Sequence, residues 1–255
     1  KSLQEKIKDY FMNFEIFNIF QRNKRLLLSL IKLGILIPTN EIYSIIKYKN
    51  KYKNAQYIEY FYPELEPFIN NKEKISIRNQ IPELADNSSI DEFNKKRENG
   101  ENDNYICELI RNDSVVEFIT FIEKKNISPS STIQPSIYET NLFLLNGTHE
   151  LINYSAFYGS LQILRYLFYR NVEINSSIWL YAIHGRNAEL IRFLEENRIE
   201  TLQGTFQYLI IESIECHHNE FADYFINNFC QNEKIYSFYL YRKALKFYNF
   251  SFLND

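Results

Sequence analysis

The chain has 255 residues, of which 45% are hydrophobic, so it can bury a sizeable core and is not predicted to be disordered. Its net charge of −3 excludes a strong overall attraction to nucleic acid or other polyanions. The charge is uneven, because residues 1–53 hold 11 lysines and arginines against 4 acidic residues. The basic N-terminal part and the acidic remainder are expected to present different surfaces or to contact each other.

Several familiar protein classes are excluded by simple motifs. Three cysteines without a CxxC pair match no disulfide framework, so we expect reduced thiols and a cytoplasmic location. The longest apolar stretch, residues 26–37, is interrupted by Ser29 and Lys32 and is too short to cross a bilayer, so no membrane insertion is expected. The six glycines form neither a GxGxxG motif nor a P-loop, which excludes nucleotide binding by those routes.

Helical periodicity begins at the N-terminus, where apolar residues from Leu3 to Phe17 recur every three or four positions. A second helix is predicted from about Asn23 until Pro38 stops it, and Thr39 or Asn40 can cap a third helix.

Residues 85–104 are polar and nearly free of large apolar side chains, which predicts a linker. After it, helical periodicity continues to about Phe229. We therefore expect an all-α protein. A helical N-terminal region (1–84) and the linker (85–104) precede a degenerate ankyrin-like helical solenoid (105–255).

Two segments carry the ankyrin pattern of small residues, a glycine that ends the first helix, and an apolar group in the second helix. In the segment 150–167, ELINYSAFYGSLQILRYL, the small residues are Ser155 and Ala156, and Gly159 is the helix-ending glycine. In the segment 177–194, SIWLYAIHGRNAELIRFL, Arg186 holds the glycine position.

Weaker matches at 209–226 and 107–119 complete a set of four candidate repeats. Their anchor positions are spaced 48, 27 and 32 residues apart: Asn112, Ser160, Asn187 and Asn219. Since a repeat needs about 33 residues, the long interval must contain an insertion.

Long strings of the sequence resemble a family of trichomonad ankyrin-repeat proteins that carry an associated domain of unknown function. These strings are NKRLLLSLI (23–31), YFYPELEPFI (60–69), RENGENDNYICELIRNDSVVEFI (97–119), STIQPSIYETNLFL (131–144), INYSAFYGSLQI (152–163), WLYAIHGRNAELI (179–191) and ECHHNEFADYF (215–225). The resemblance covers nearly the whole chain and implies an ankyrin-like fold. It brings no catalytic residues.

Ankyrin proteins usually bind partners through the variable positions just before the helix-ending glycine. We therefore predict a partner-binding surface that includes four residues: Phe157, Tyr158, His184 and His217. Two adjacent aromatic side chains facing solvent would be unusual unless something covers them. They either bind a partner or lie beneath the N-terminal helices.

Metal binding and catalysis are not expected. His184 and Cys216 hold equivalent positions in neighbouring repeats, and His217 and His218 follow directly, but these residues complete no tetrahedral site. Ser155 occupies a packing position and has no acid-bearing partner. We expect no stoichiometric zinc, no cofactor and no enzymatic activity.

The function predicted from these features is recognition of, or scaffolding for, another protein. One alternative is a structural subunit of a larger assembly. Another is binding of nucleic acid or of an acidic surface by Lys47–Lys53, where lysines alternate with aromatic residues. That segment is short and the whole chain is acidic, so nucleic acid is the less favoured partner.

Overall fold

The computed structural model describes residue 7 and residues 10–50, 56–84, 89–145, 147–201, 206–229 and 237–253. Within these residues the regular secondary structure is helical, and strand-like pairing is limited to one isolated bridge between Thr132 and Glu150. The predicted all-α class is confirmed. None of the described helices is long and apolar enough to span a membrane.

The chain divides into two compact units, each of which is made of two stretches of sequence. The first unit contains Lys1–Asn104 and Gln134–Thr148, and the second contains Tyr105–Ile133 and His149–Asp255. The segment Gln134–Thr148 belongs to the first unit and lies within the long interval between Asn112 and Ser160.

Seven α-helices form the described part of the first unit: α1 (Asn13–Phe20), α2 (Lys24–Lys32), α3 (Asn40–Asn50), α4 (Tyr57–Tyr60), α5 (Tyr62–Leu65), α6 (Asn71–Gln80) and α7 (Ile90–Asn99). Asn23 caps α2, and the Thr39 hydroxyl accepts the backbone N–H of Ile42 in α3, so Thr39 acts as predicted. Apolar faces of these helices bury one core that includes Phe61 and Phe93.

Residues 89–104 do not form the linker that their polarity predicts. Ile90–Asn99 is helix α7, which buries Phe93 in the core and ends at Gly100 in a left-handed conformation. Arg97 is only 2% exposed, and its guanidinium pairs with both carboxylate oxygens of Glu64 at 2.7 and 3.0 Å. The polar composition predicted a linker because a charged side chain that is buried with a partner cannot be told from a solvated one in the sequence.

Lys24 of α2 forms hydrogen bonds to the segment Gln134–Thr148, which belongs to the first unit. Its side chain is 0% exposed, and its Nζ donates to the backbone oxygens of Ile137 and Glu139, each at 3.2 Å. The ammonium group also lies 5.4 and 5.2 Å from the ring centres of Tyr57 and Tyr60. Burial lowers the pKa of Lys24 from 10.5 to about 8, against the opposing charges of Glu139 and Glu59.

The buried lysine makes the first unit more stable as the solution becomes alkaline. The pKa of Lys24 is lower in the folded chain, so between about pH 8 and 9.5 the unfolded chain binds more protons and stability rises. We expect the unfolding free energy of the wild type to gain about 1.5 kcal/mol relative to Lys24→Met over this range. Urea unfolding followed by far-ultraviolet circular dichroism measures it.

The pH range ends at about 9.5 because tyrosine ionisation at higher pH changes the stability in the opposite direction. Burial raises the pKa of Tyr57 and Tyr60 to about 12, so above pH 10 their ionisation in the unfolded chain lowers stability. A difference between the wild type and Lys24→Met that stays constant from about pH 8 to 9.5 would contradict a buried ammonium at this position.

Nine α-helices form the described part of the second unit: α8 (Tyr105–Arg111), α9 (Val115–Lys124), α10 (Leu151–Phe157), α11 (Leu161–Tyr169), α12 (Ile178–Gly185), α13 (Ala188–Glu196), α14 (Gln207–Glu215), α15 (Asn219–Phe229) and α16 (Ser237–Lys246). Consecutive helices pair as α8/α9, α10/α11, α12/α13 and α14/α15. The first helix of each pair contacts the first helix of the next pair, and α16 continues this series against α14.

One turn geometry recurs at the end of every first helix. A residue with positive φ donates its N–H to the carbonyl three positions earlier, at 2.9–3.2 Å, and these residues are Asp113, Gly159, Arg186, His217 and Tyr248. In four of the turns, the N–H of the following residue reaches the carbonyl five positions earlier: Ser114, Ser160, His218 and Asn249. This is the hydrogen-bond pattern of the Schellman motif, which ends helices with a left-handed residue.

Polar side chains next to these left-handed residues connect successive turns. The Ser160 hydroxyl donates to the Ile110 carbonyl, the Asn187 amide donates to the Gly159 carbonyl at 2.9 Å, and the Asn249 amide donates to the Ile214 carbonyl at 2.9 Å. The Ile110 and Ile214 carbonyls also accept the backbone N–H groups of Asp113 and His217, so the side chains add a second hydrogen bond at these helix ends. The second unit therefore repeats one local structure although its sequence repeats only weakly.

Candidate functional site

The predicted partner-binding residues lie near the ends of first helices, but they do not form one exposed surface. Phe157 is only 7% exposed, because its ring stacks on His184 at 4.9 Å and meets the Tyr158 ring at 5.0 Å. Tyr158 and His184 are half-buried, and His217 is exposed. Of the two alternatives left open for this aromatic pair, an exposed and a covered position, Phe157 takes the covered one, beneath His184 of the next repeat.

Phe157 is buried because neighbouring first helices pack closely at this end. The helix-ending Gly159 lies so near the following repeat that a methyl group placed on it would stand 2.7 Å from the Gly185 carbonyl oxygen. This close approach brings His184 over the Phe157 ring. Phe157→Ala would consequently remove core packing, so it does not report on partner binding alone.

His184 belongs to a cluster of three side chains that can bind a metal ion. Its Nε2 lies 2.8 Å from Oε1 of Glu212, and the Cys216 sulfur lies 3.6 Å from both ring nitrogens and 3.8 Å from the same carboxylate oxygen. All three residues are half-buried, and one ligand atom from each lies within 4.8 Å of the others. Neither His217 nor His218 belongs to the cluster.

The environment of Cys216 favours the protonated thiol when no cation is bound. Burial raises its pKa to about 12, and the carboxylates of Glu212 and Glu215 add to the effect. A thiol with such a pKa is a poor nucleophile at neutral pH. The cluster therefore has the composition of a ligand set rather than that of a cysteine–histidine catalytic pair.

Glu212 is the member of the cluster that sequence reasoning missed. It precedes Cys216, the C-cap residue of α14, by four positions, and side chains four apart share one face of a helix. With His184 and Cys216 aligned in adjacent repeats, this four-residue spacing was the sequence feature that could have indicated Glu212 as a third ligand. A search pattern of histidine and cysteine alone does not detect this residue, although carboxylates also bind zinc.

A second feature is an open aromatic cleft between α14 and α16. It has a volume of about 400 Å³ and is lined by Gln207, Tyr208, Ile211, Phe238 and Tyr239. Phe238 is 72% exposed and Tyr208 is 46% exposed. Large aromatic side chains at such exposure on adjacent helices are typical of a surface that a partner covers.

The cleft was not predicted from the sequence, because one of its two helices lies beyond Phe229, where the predicted helical periodicity ends. In α16, Leu240 and Ala244 are buried, while a second apolar series on the helix is exposed. The exposed series is Phe238, Tyr241 and Leu245, and the exposed Tyr248 follows in the turn after the helix. Helical periodicity detects an apolar face but does not distinguish a buried face from an uncovered one.

In the basic segment Lys47–Lys53, residues 51–53 lie outside the described residues, and side chains are described only for Lys47 and Tyr48. Lys47 donates to the Glu73 carboxylate at 2.7 Å and to the Tyr43 hydroxyl at 3.0 Å, and these hydrogen bonds raise its pKa. The Lys47 charge is thus partly neutralised by Glu73 within the first unit. This contact makes the segment a weaker candidate for binding polyanions.

A comparison of the chain with known protein families, with curated proteins and with solved structures found no match. The resemblance to trichomonad ankyrin-repeat proteins therefore stays a prediction, and the functional argument rests on the geometry of the second unit.

Proposed function

We propose that this protein is a non-enzymatic recognition protein whose second unit binds another protein through an ankyrin-like stack of helical hairpins. Three features support the ankyrin-like reading: helix pairs joined by short turns, first helices that follow one another, and a recurring left-handed turn residue. Repeat stacks of this kind commonly expose an extended binding surface made by successive repeats.

The observation that carries the proposal is the aromatic cleft between α14 and α16. Tyr208 and Phe238 present large rings at low cost in side-chain entropy, and aromatic residues dominate the binding energy of many protein interfaces. The cleft lies on first helices, which ankyrin proteins use for recognition. An apolar side chain of a partner protein fits this cleft better than a polar small molecule does.

The basic character of helix α16 bears on the residues that flank that apolar side chain. Helix α16 carries Arg242, Lys243 and Lys246 and has no acidic residue. Lys243 pairs with Glu215 at 2.7 Å, whereas the side chains of Arg242 and Lys246 are exposed. We therefore expect a partner segment with an apolar anchor next to acidic residues.

The cleft predicts a selective loss of partner binding in Tyr208→Ala/Phe238→Ala. Removing two exposed rings should weaken binding at least tenfold while leaving the helical spectrum unchanged, because neither ring is in the core. The measurement is quantitative capture of proteins from native lysate by the immobilised chain, followed by titration of the captured protein.

Tyr169→Ala is the matched control, since Tyr169 is 72% exposed but lies on the second helix α11, away from the cleft. A protein that the wild type and Tyr169→Ala capture and the double variant loses supports the proposal. Equal capture by all three forms would place recognition elsewhere. Salt-sensitive capture of RNA alone would instead favour polyanion binding.

A further inference from the structure

We propose that His184, Glu212 and Cys216 form a zinc site in the second unit, with a water molecule as the fourth ligand. A tetrahedral zinc ion with bonds of about 2.0–2.3 Å holds its ligand atoms about 3.3–3.6 Å apart. The sulfur–nitrogen and sulfur–oxygen distances here are 3.6 and 3.8 Å, and the nitrogen–oxygen distance is 2.8 Å. Only the last must lengthen, by about half an ångström, to admit the ion.

The helices hold these ligands in place without any loop. Glu212 and Cys216 are joined by a backbone hydrogen bond of α14, from the Cys216 N–H to the Glu212 carbonyl at 2.9 Å, which fixes their spacing. His184 lies in the last turn of α12, and its ring stacks on Phe157 with an angle of 25° between the two planes. Two ligands four residues apart on one helix are a recurring arrangement in zinc proteins.

The ligand atoms of the cluster favour zinc over divalent metals that prefer oxygen ligands. A thiolate and an imidazole favour zinc over calcium and magnesium, which prefer oxygen ligands. A divalent cation would also compensate the negative charges of Glu212 and the Cys216 thiolate, which would otherwise repel each other. All three side chains are half-buried, so solvent can supply the fourth ligand.

The neighbouring histidines provide a matched control. The Nε2 atom of His217 lies 2.9 Å from the Phe247 carbonyl oxygen, outside the cluster, although His217 is next to Cys216 in sequence. If the site is as proposed, His217→Ala leaves zinc binding unchanged. If binding depends only on a local concentration of histidines, His217→Ala weakens it as much as His184→Ala does.

The test is titration of the purified full chain with Zn²⁺ alone, after removal of metal by a chelator. The wild type is expected to bind one ion per chain and to melt at a higher temperature with zinc than without it. Cys216→Ser, Glu212→Gln and His184→Ala should each bind at least about tenfold more weakly, the range seen when groups around a metal are removed. Circular dichroism in chelator checks that each variant is folded.

Cobalt(II) provides a second measurement that does not depend on the variants folding. Cobalt bound at this site should show thiolate-to-metal charge transfer in the near ultraviolet and the visible absorption of a tetrahedral ion. Lack of stoichiometric zinc in the wild type, lack of thiolate absorption with cobalt, or unchanged affinity in folded Cys216→Ser would each overturn the proposal. Partner capture through the Tyr208/Phe238 cleft is a separate measurement, so either proposal can fail alone.

Discussion

Replacing Gly185 by alanine is expected to destabilise the second unit by about 3 kcal/mol. A methyl group at Gly185 would stand 2.3 Å from the Ala156 carbonyl oxygen and 2.8 Å from the Gly159 nitrogen. Both are backbone atoms of the preceding turn, so the clash is relieved only by separating two repeats. The direction of the stability change distinguishes two effects. Gly185 lies within α12, where helix propensity alone predicts that alanine stabilises the protein by up to about 1 kcal/mol, whereas the clash predicts that alanine destabilises it.

Trp179 makes this prediction straightforward to measure. It is the one tryptophan of the chain, it is buried in the second unit, and its indole N–H donates to the carbonyls of Ile199 and Glu200. Its fluorescence during urea unfolding should therefore follow the second unit.

Gly34→Ala is the control for Gly185→Ala. Gly34 has a positive φ, unlike Gly185, and a methyl group there would meet no atom within 4 Å, so the expected cost is only the left-handed conformation, about 1 kcal/mol. A Gly185→Ala protein as stable as the wild type would show that the two turns do not pack as described.

Replacing Arg97 by alanine is expected to destabilise the first unit by about 3–5 kcal/mol. The guanidinium donates to both oxygens of Glu64 and to the Tyr60 carbonyl at 2.9 Å, and it lies 5.0 Å from the centre of the Phe93 ring. Removing it leaves the half-buried Glu64 carboxylate without this partner and opens a cavity beside Phe93. Loss of one member of a buried pair costs more than the pair contributes, because the other charge remains desolvated.

An exposed pair in the same chain supplies the control for Arg97. Arg192 pairs with Glu196 at 2.8 Å one helical turn away, and both side chains are largely exposed. Arg192→Ala should therefore change stability by no more than about 0.5 kcal/mol.

The two optical signals separate the effects of the two units. Arg97→Ala should shift the part of the circular dichroism transition that belongs to the first unit, while the Trp179 fluorescence transition serves as an internal reference. A cost for Arg97→Ala as small as that for Arg192→Ala would mean that residues 89–104 are the solvated linker that their composition predicts.

The amino-acid sequence by itself determined the helical class and the positions of several helix ends. Apolar residues at helical spacing, few prolines and glycines, and Thr39 before α3 act through local backbone preferences, which depend on neighbouring residues alone. The same is true of the turns at Gly159 and Arg186, which the repeat alignment placed correctly and which both have positive φ.

Only the tertiary structure decided which polar residues are buried and which aromatic residues are exposed. Arg97 and Lys24 are buried because partners distant in sequence, Glu64 and the Ile137 and Glu139 carbonyls, compensate the loss of water. Phe157 is covered by His184 from the next repeat, whereas Phe238 has the same chemistry and remains exposed. The burial of a side chain depends on the residues of other helices that pack against it, and the sequence pattern of one helix does not specify those residues.

The candidate sites show the same division. Glu212 and Cys216 were one helical turn apart in the sequence, but their meeting with His184 depends on how closely α12 approaches α14. A close backbone contact of this kind joins α12 to the preceding α10 at Gly185, where the lack of a side chain matters more than helix propensity. Local backbone preferences thus determine the helices, and close packing between the helices determines which side chains lie close enough to act together.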